Sequence, residues 1–427
     1  MRFHGYFGLD SRVIWSGIGV LMLAVATGGY AAEPGNTAEQ IFFESGVRGG
    51  LVVHLGVGDG RLTAALRPEE SYLVQGLDTC PDRVSAARAW LQKEGLYGPV
   101  SVDTFDGRSL PYVSDTVNLL VAHDLGQVAR EEVHRVLSPG GVVCVWEDGR
   151  WQTYREAWPE DIGEWTHFLQ DACGNAVARD SRVGPPERLQ WVAGPRWSRS
   201  HEIPTSVNAV VTSGGRLFTI IDQAPAGVYR KLPWQANLVA RDAFNGTRLW
   251  SLPMEDWQPE LGVEFGRGDR WHLHHTIPRR LVAQGERVYV TRGFLGSPVS
   301  VLDAATGETL VAALPGTQGT DEMLLSDGVL LVKVPEELTV GATVRYGQGA
   351  PHDTLAAVDV ESGELLWRQE RVRVVPYALS AQAGRLVYHN LEELVCLELR
   401  TGRELWRTPN EIGFTGISAW RASGVCI

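Results

Sequence analysis

The stretch Leu51-Val-Val-His-Leu-Gly-Val-Gly-Asp-Gly60 decides how the first part of the chain is read. A short apolar strand, Leu51 to Leu55, runs into glycines at 56, 58 and 60 and then into a helix. Such a turn lets a ligand approach the backbone at a helix N-terminus. Alone it is a weak signal, but Asp78 ends the next apolar run twenty residues after Gly58, where a carboxylate can accept hydrogen bonds from ribose hydroxyls. Outward from this point, residues 41 to 146 alternate short apolar runs with helix-length segments, as a parallel α/β sheet requires. Strands are expected at Leu51–Leu55, Tyr72–Leu77, Val100–Asp103, Val117–Ala122 and Val142–Trp146, with helices after Gly60, near Arg83–Glu94 and near Ala129–Leu137. Asp148-Gly149, between Val142–Glu147 and Arg150–Arg155, is a two-residue hairpin signal.

Two further segments separate cofactor classes: Asp106-Gly-Arg-Ser-Leu-Pro-Tyr112 after the third strand, and Glu132-Val-His-Arg-Val-Leu-Ser-Pro-Gly-Gly141 before the fifth. With the glycine turn and Asp78, these resemble the ordered motifs of class I S-adenosylmethionine-dependent methyltransferases over about residues 38 to 146. The resemblance implies an α/β Rossmann-like domain with S-adenosylmethionine as cofactor. Gly56, Gly58 and Gly60 would face its methionyl and adenosine parts, Asp78 the ribose and Asp106 the adenine amino group. His123 and Asp124 end the fourth strand, where open α/β sheets place reacting groups, so they are the candidates to orient a methyl acceptor. Two departures stand out. His54 occupies a position where the family has an acidic residue near the methionyl end, and the hairpin arrives before a helix and the usual last two strands could fit.

Beyond residue 200 the chain repeats itself. Asp242-Ala-Phe-Asn-Gly246-Thr-Arg-Leu-Trp250 is echoed by Asp303-Ala-Ala-Thr-Gly307-Glu-Thr-Leu-Val311, Asp359-Val-Glu-Ser-Gly363-Glu-Leu-Leu-Trp367 and Glu398-Leu-Arg-Thr-Gly402-Arg-Glu-Leu-Trp406. Each copy follows a pair of short apolar strands, as in propeller blades. The acidic residue and the glycine four positions on set a turn that needs positive φ, and the closing Trp or Val returns an apolar side chain to the neighbouring blade. These copies resemble the tryptophan-docking repeats of pyrroloquinoline-quinone-type propellers, which implies an all-β propeller over residues 205 to 427. It would be partial, with four blades and a fragment of a fifth at Gly413 to Ile427. Val311 departs from the pattern. The quinone itself is not expected, since the adjacent-cysteine pair that many such dehydrogenases stack on it is missing.

At 427 residues the chain has room for two or three domains, and 39 Lys and Arg against 51 Asp and Glu give a net charge of -12, which disfavours nucleic acid and anionic lipid as partners. Residues 1 to 32, with Arg2 and Arg12, the apolar stretch Val13–Thr27 and small residues up to Ala31-Ala32, read as a secretory signal. An exported protein of the periplasm or cell envelope follows, with no integral membrane span after cleavage. Five scattered cysteines suggest neither a disulfide framework nor a zinc site. Residues 147 to 204 form a connector; ten of the fifteen tryptophans lie between Trp146 and Trp271, too many for a flexible linker.

Two clusters could hold a metal, though their plainer reading is polar structure and no metal is assigned. Glu164, His167 and Asp171 would share one face if residues 160 to 171 were helical, and His272 and His274 would share one side of a strand. The functional reading is an S-adenosylmethionine-binding, methyltransferase-like protein whose propeller is a platform for a protein or glycan, with the methyl acceptor unassigned. The alternatives are a non-enzymatic exported propeller protein with a degenerate Rossmann domain, and a quinone-dependent dehydrogenase.

Overall fold

The computed structural model describes residues 33–409, apart from 179, 186–188, 195–206, 225–234, 255, 258–276, 337–351, 376 and 391. The expected signal, the pair His272 and His274, and the fragment from Gly413 lie outside the described residues.

The first layer system is built from α1 (Pro34–Ser45), β1 (Gly50–Leu55), α2 (Arg61–Ala65), β2 (Tyr72–Asp78), α3 (Pro81–Lys93), β3 (Val100–Thr104), β4 (Val117–Ala122), α4 (Arg130–Val136), β5 (Leu137–Glu147) and β6 (Arg150–Arg155). The strands form one sheet in the order β3-β2-β1-β4-β5-β6. All neighbours are parallel except β5 and β6. Successive strand side chains point to opposite faces, so Val52, Leu119 and Val121 pack with Ile41 and Leu91 on one side. Val53, Leu55 and Leu120 pack with Val133 and Val136 on the other. The hairpin turns on Asp148 and Gly149, both at positive φ (51° and 77°). Its return strand stays hydrogen-bonded to β5 along its length, so the sheet runs on to Arg155 instead of ending at 146.

Four antiparallel four-stranded sheets follow among the described residues. Blade 1 comprises β7 (Val207–Ser213), β8 (Arg216–Asp222), β9 (Ala236–Asp242) and β10 (Arg248–Pro253). Blade 2 comprises β11 (Leu281–Gln284), β12 (Arg287–Thr291), β13 (Val299–Asp303) and β14 (Thr309–Val311). Blade 3 comprises β15 (Glu322–Ser326), β16 (Val329–Pro335), β17 (Asp353–Asp359) and β18 (Leu365–Val372). Blade 4 comprises β19 (Leu379–Gln382), β20 (Arg385–His389), β21 (Glu393–Glu398) and β22 (Glu404–Pro409).

The repeated motif forms the turn between the third and fourth strands of each blade. In blade 1, Asp242 Oδ1 accepts the N–H groups of Phe244 and Asn245, each at 2.9 Å, and Gly246 N–H donates to Asp242 O at 3.0 Å. Gly246 has φ 76°. The glycine has a second task that its turn alone does not reveal: a tryptophan from the preceding element lies flat against it. A Cβ on Gly307 would sit 2.7 Å from Trp250, and one on Gly402 would sit 2.7 Å from Trp367. Each indole N–H donates to the carbonyl of the residue after the acidic one, Trp250 to Ala304 at 3.0 Å and Trp367 to Leu399 at 2.8 Å. The socket of blade 1 is filled from outside the repeats by Trp191, whose indole donates to Ala243 O at 2.9 Å. Blade 3 is the exception that Val311 implies. Nothing approaches the Cβ position of Gly363 within 4 Å, and Arg287 Nη1 donates to Val360 O at 2.8 Å in place of an indole.

The connector threads past the inner strand of every blade. Thr212 N–H donates to Trp165 O at 2.7 Å, Ala283 N–H to Thr166 O at 3.1 Å, Leu325 N–H to His167 Nε2 at 2.9 Å and Ala381 N–H to Ala172 O at 2.8 Å. Each donor is the next-to-last residue of its strand, so one segment satisfies the equivalent N–H in all four blades. Residues 160 to 171 are therefore not helical. The arrangement proposed for Glu164, His167 and Asp171 does not form: His167 is buried with Nδ1 on Thr166 Oγ1 at 2.7 Å and Nε2 on Leu325, and Glu164 Oε1 accepts Gly214 N–H at 2.6 Å. With both ring nitrogens engaged, the imidazole has no lone pair for a metal.

Blade 1 is also fixed to the α/β sheet. Asn118 of β4 donates through Nδ2 to Asp242 Oδ2 at 2.7 Å, while its Oδ1 accepts Leu51 N–H at 2.8 Å and Asn245 Nδ2 at 2.7 Å. Leu51 and Asn118 are the second residues of β1 and β4, so the propeller grips the N-terminal edge of the sheet. The glycine turn lies at the other edge, about 17 Å along β1.

Candidate functional site

The site at the C-terminal edge starts from the way β1 ends. Gly56, Gly58 and Gly60 all have positive φ (84°, 57° and 85°). Gly56 N–H donates to Leu77 O at 2.8 Å and Gly60 N–H to Val57 O at 3.0 Å, folding the turn back onto β2. A Cβ added to Gly56 or Gly58 would meet no heavy atom within 4 Å, so the outer face of the turn is open.

Asp78, at the end of β2, is buried and builds the turn from below: its Oδ2 accepts Val57 N–H at 3.1 Å and its Oδ1 accepts Cys80 N–H at 2.9 Å. Arg83, in the first turns of α3, donates to the same Oδ1 from Nε at 3.1 Å and from Nη2 at 2.8 Å. Burial disfavours the charge on Asp78, but the Cys80 N–H and the Arg83 guanidinium outweigh it and hold the carboxyl below its ordinary range. Arg83 is a site residue that the sequence reading overlooked. Its signal was a cation five positions after the carboxylate, inside the helix that follows.

Asp106 is exposed beyond β3, and its Oδ1 accepts the N–H groups of Arg108 at 2.8 Å and Ser109 at 2.7 Å. Those bonds keep its carboxyl below the ordinary range. The loop carrying it is held by the segment before β5. Glu132 Oε1 accepts Leu110 N–H at 2.7 Å, and Arg135 donates to Glu132, to Tyr112 O at 2.8 Å and to Leu110 O at 3.2 Å. The two sequence segments that distinguished the cofactor class thus form one scaffold for Asp106.

His54 is buried one residue before the end of β1, its Nδ1 within 2.8 Å of Thr63 Oγ1. Burial, then the neighbouring His123, push its pKa down to about 4 against the pull of Asp78, so the ring is neutral at physiological pH. His123 and Asp124 are exposed just past β4, and Asp124 Oδ1 accepts Gly126 N–H at 2.9 Å. The His123 ring lies 5.5 Å from Trp146 and 5.1 Å from Trp151, centroid to centroid, and the two indoles meet edge to face at 5.4 Å. Trp146 and Trp151 are direct partners across the hairpin, a pairing already implicit in the position of Asp148-Gly149. Among the described residues, no group of three or more His, Cys, Asp or Glu could hold a metal ion.

Residues 52–141 match a family described as methyltransferase domain, and residues 235–419 match one described as outer membrane protein assembly factor BamB. The chain joins a methyltransferase domain to PQQ-type propeller repeats. Methyltransferase GfsG of Streptomyces halstedii is 32% identical over 123 residues, which cover 27% of this chain and 44% of that protein. The chain therefore spans less than half the length of this curated relative. Among solved structures, geranyl diphosphate C-methyltransferase from Streptomyces coelicolor is 17% identical and covers 26% of this chain and 44% of its own, with a TM-score of 0.23. The [4+2]-cyclase SpnF is 22% identical and covers 26% of this chain and 43% of its own, with a TM-score of 0.24. Repeats of the BamB type are typical of periplasmic and envelope proteins. No helix among the described residues is long and apolar enough to cross a membrane.

Proposed function

We propose that the methyltransferase domain binds an adenosyl nucleoside of the S-adenosylmethionine class at the turn Gly56–Gly60. In this reading Asp78 faces the ribose, Asp106 the adenine, and His123 and Asp124 the acceptor side. The observation that carries it is the preformed turn, hydrogen-bonded to the Asp78 carboxylate and open where Gly56 and Gly58 lack a Cβ. The residues fit the nucleoside half of the cofactor: Asp78 Oδ2 accepts one backbone N–H and retains a second lone pair, and Asp106 uses only one oxygen on its own loop. They do not fit the amino-acid half, where an ammonium would meet the neutral, buried His54. The methyl acceptor is unassigned.

The propeller is proposed as a platform for an envelope protein or glycan in an exported protein. The repeat family and the signal-like residues 1 to 32 support that localisation. The junction at Asn118 and Asp242 supports a platform that works away from the glycine turn, because it attaches to the opposite sheet edge. A non-enzymatic reading, with the α/β domain as scaffold, is favoured by one observation: Arg83 already occupies the carboxylate expected to serve the ribose.

The test is calorimetric titration of the full chain with S-adenosylmethionine and with simpler adenine nucleosides, beside Asp78→Ala. Micromolar binding of any of them that is lost in the variant supports the nucleoside site. No binding of any by folded protein leaves the scaffold reading and the propeller as the working part.

A further inference from the structure

We propose that the glycine turn prefers an adenine nucleoside whose 5′ substituent carries no ammonium group, of the 5′-methylthioadenosine class, over the zwitterionic sulfonium S-adenosylmethionine. This rests on the nucleoside reading above and names the ligand class of that same site.

An ammonium taken out of water needs a carboxylate or several carbonyl acceptors to offset its lost hydration. At the end of β1 the side chain offered is His54, only 3% exposed and tied to Thr63. A neutral imidazole can make a hydrogen bond there but cannot pair with a cation. The nearby carboxylates each have partners of their own, although Asp78 Oδ2 keeps one lone pair on the ribose side. Asp78 is held by Arg83, the Cys80 N–H and the Val57 N–H. Asp59 pairs with Arg61 at 3.2 Å, and Asp124 caps the Gly126 N–H.

Cations stand beside those carboxylates. Arg83 and Arg61 both stand on helices that follow the strands of the site, and His123 is close enough to His54 to lower its pKa. What the strand ends offer beside His54 is aromatic surface: His123 and the partly exposed Trp146, backed by the buried Trp151. An alkylthio group gains from such a wall, whereas a charged amino-acid tail must be desolvated against it.

The experiment is a calorimetric comparison of 5′-methylthioadenosine, S-adenosylhomocysteine and S-adenosylmethionine on the full-length protein, with His54→Asp and His54→Asn as variants. The expected result is that 5′-methylthioadenosine binds the wild type at least about tenfold more tightly than either amino-acid-bearing ligand, the scale of one lost charge-assisted hydrogen bond. His54→Asn should keep that ranking. His54→Asp should reverse it by strengthening S-adenosylmethionine and S-adenosylhomocysteine alone.

Equal or tighter binding of S-adenosylmethionine by the wild type overturns the inference while leaving the nucleoside site standing. A His54→Asp protein that folds and keeps the wild-type ranking also overturns it. Failure of all three ligands to bind removes the nucleoside reading itself, and the inference with it. Should His54→Asp not fold, the wild-type ranking decides alone.

Discussion

His167 Nε2 accepts the backbone N–H of Leu325 at 2.9 Å, a hydrogen bond that spans 158 positions of the chain. Both partners are buried, His167 at 4% exposure and Leu325 at 4%. Replacing the imidazole with a methyl group strands a buried N–H and opens a void, so His167→Ala should lose about 2–4 kcal/mol of unfolding free energy. His167→Gln restores an acceptor of similar reach and should lose about 1 kcal/mol. Chemical denaturation of the three proteins, followed by tryptophan fluorescence, measures both values; equal losses would place the effect in packing and not in the hydrogen bond.

The same ring makes stability depend on acid. Burial lowers the pKa of His167 to about 4, with Arg279 adding to the effect against Asp171, and His54 is lowered to about 4 as well. A histidine whose folded pKa lies below its unfolded value of about 6.5 stabilises fully above that value, and the contribution disappears as pH falls from about 6.5 to 4. Each ring should contribute roughly 3 kcal/mol to that loss. Asp353 acts in the opposite direction, since burial raises its pKa to about 6 despite Lys333, so its contribution recovers as pH falls through the same range. The comparison that isolates one histidine is wild type against His167→Gln. Between pH 7 and pH 4 the wild type should lose about 3 kcal/mol more than the variant, and parallel losses would contradict a neutral buried ring.

What the sequence disclosed was what short-range chemistry dictates. Strand β1, its glycine turn, Asp78 and the Asp148-Gly149 hairpin are all local, and each was readable from neighbouring residues. The acidic-to-glycine spacing of the repeats was readable for the same reason, since that turn closes on its own backbone. What escaped depends on distant partners. Trp191 lies outside the repeat pattern yet fills the first socket, Arg287 takes over a carbonyl that Val311 cannot reach, and the connector makes its bonds to strands up to 209 positions away. His54 was visible as a departure from the family pattern, but its burial, and with it the neutrality of the ring, came only from the packed sheet.

The sockets allow a comparison in which backbone strain cancels. Gly363 and Gly402 have nearly equal φ, 73° and 68°, so alanine is strained to a similar degree at either. Only Gly402 has an indole against it, and its new methyl group would have to displace Trp367. Gly402→Ala should therefore be about 2 kcal/mol more destabilising than Gly363→Ala, as overpacking typically costs. The converse change, Val311→Trp, supplies the missing indole to the open socket of blade 3 and should stabilise by about 1 kcal/mol, the surplus of apolar burial over the displaced Arg287 bond. Melting temperatures of the three variants rank the effects, and a destabilised Val311→Trp would mean that Arg287 already closes that socket.

Asn118 tests whether the two domains communicate with the ligand site or only hold one another. Its side-chain amide donates to Asp242 and accepts from Leu51 and Asn245, so truncation leaves a buried carboxylate short of a donor. Burial already raises the Asp242 pKa against the opposing bonds from Asn118, Asn245 and Phe244, and removing the amide should raise it further. Asn118→Ala should cost about 2–3 kcal/mol at neutral pH and less in acid, where protonation of Asp242 removes the need for an anion-stabilising donor. Because the junction sits at the N-terminal edge of β1 and β4 and the glycine turn at the opposite edge, the affinity of any nucleoside that binds there should change by less than about twofold. Unfolding at neutral and at acid pH, paired with calorimetry on the folded variant, separates these outcomes. A loss of nucleoside affinity as large as the loss of stability would show that the propeller sets the geometry of the turn through β1.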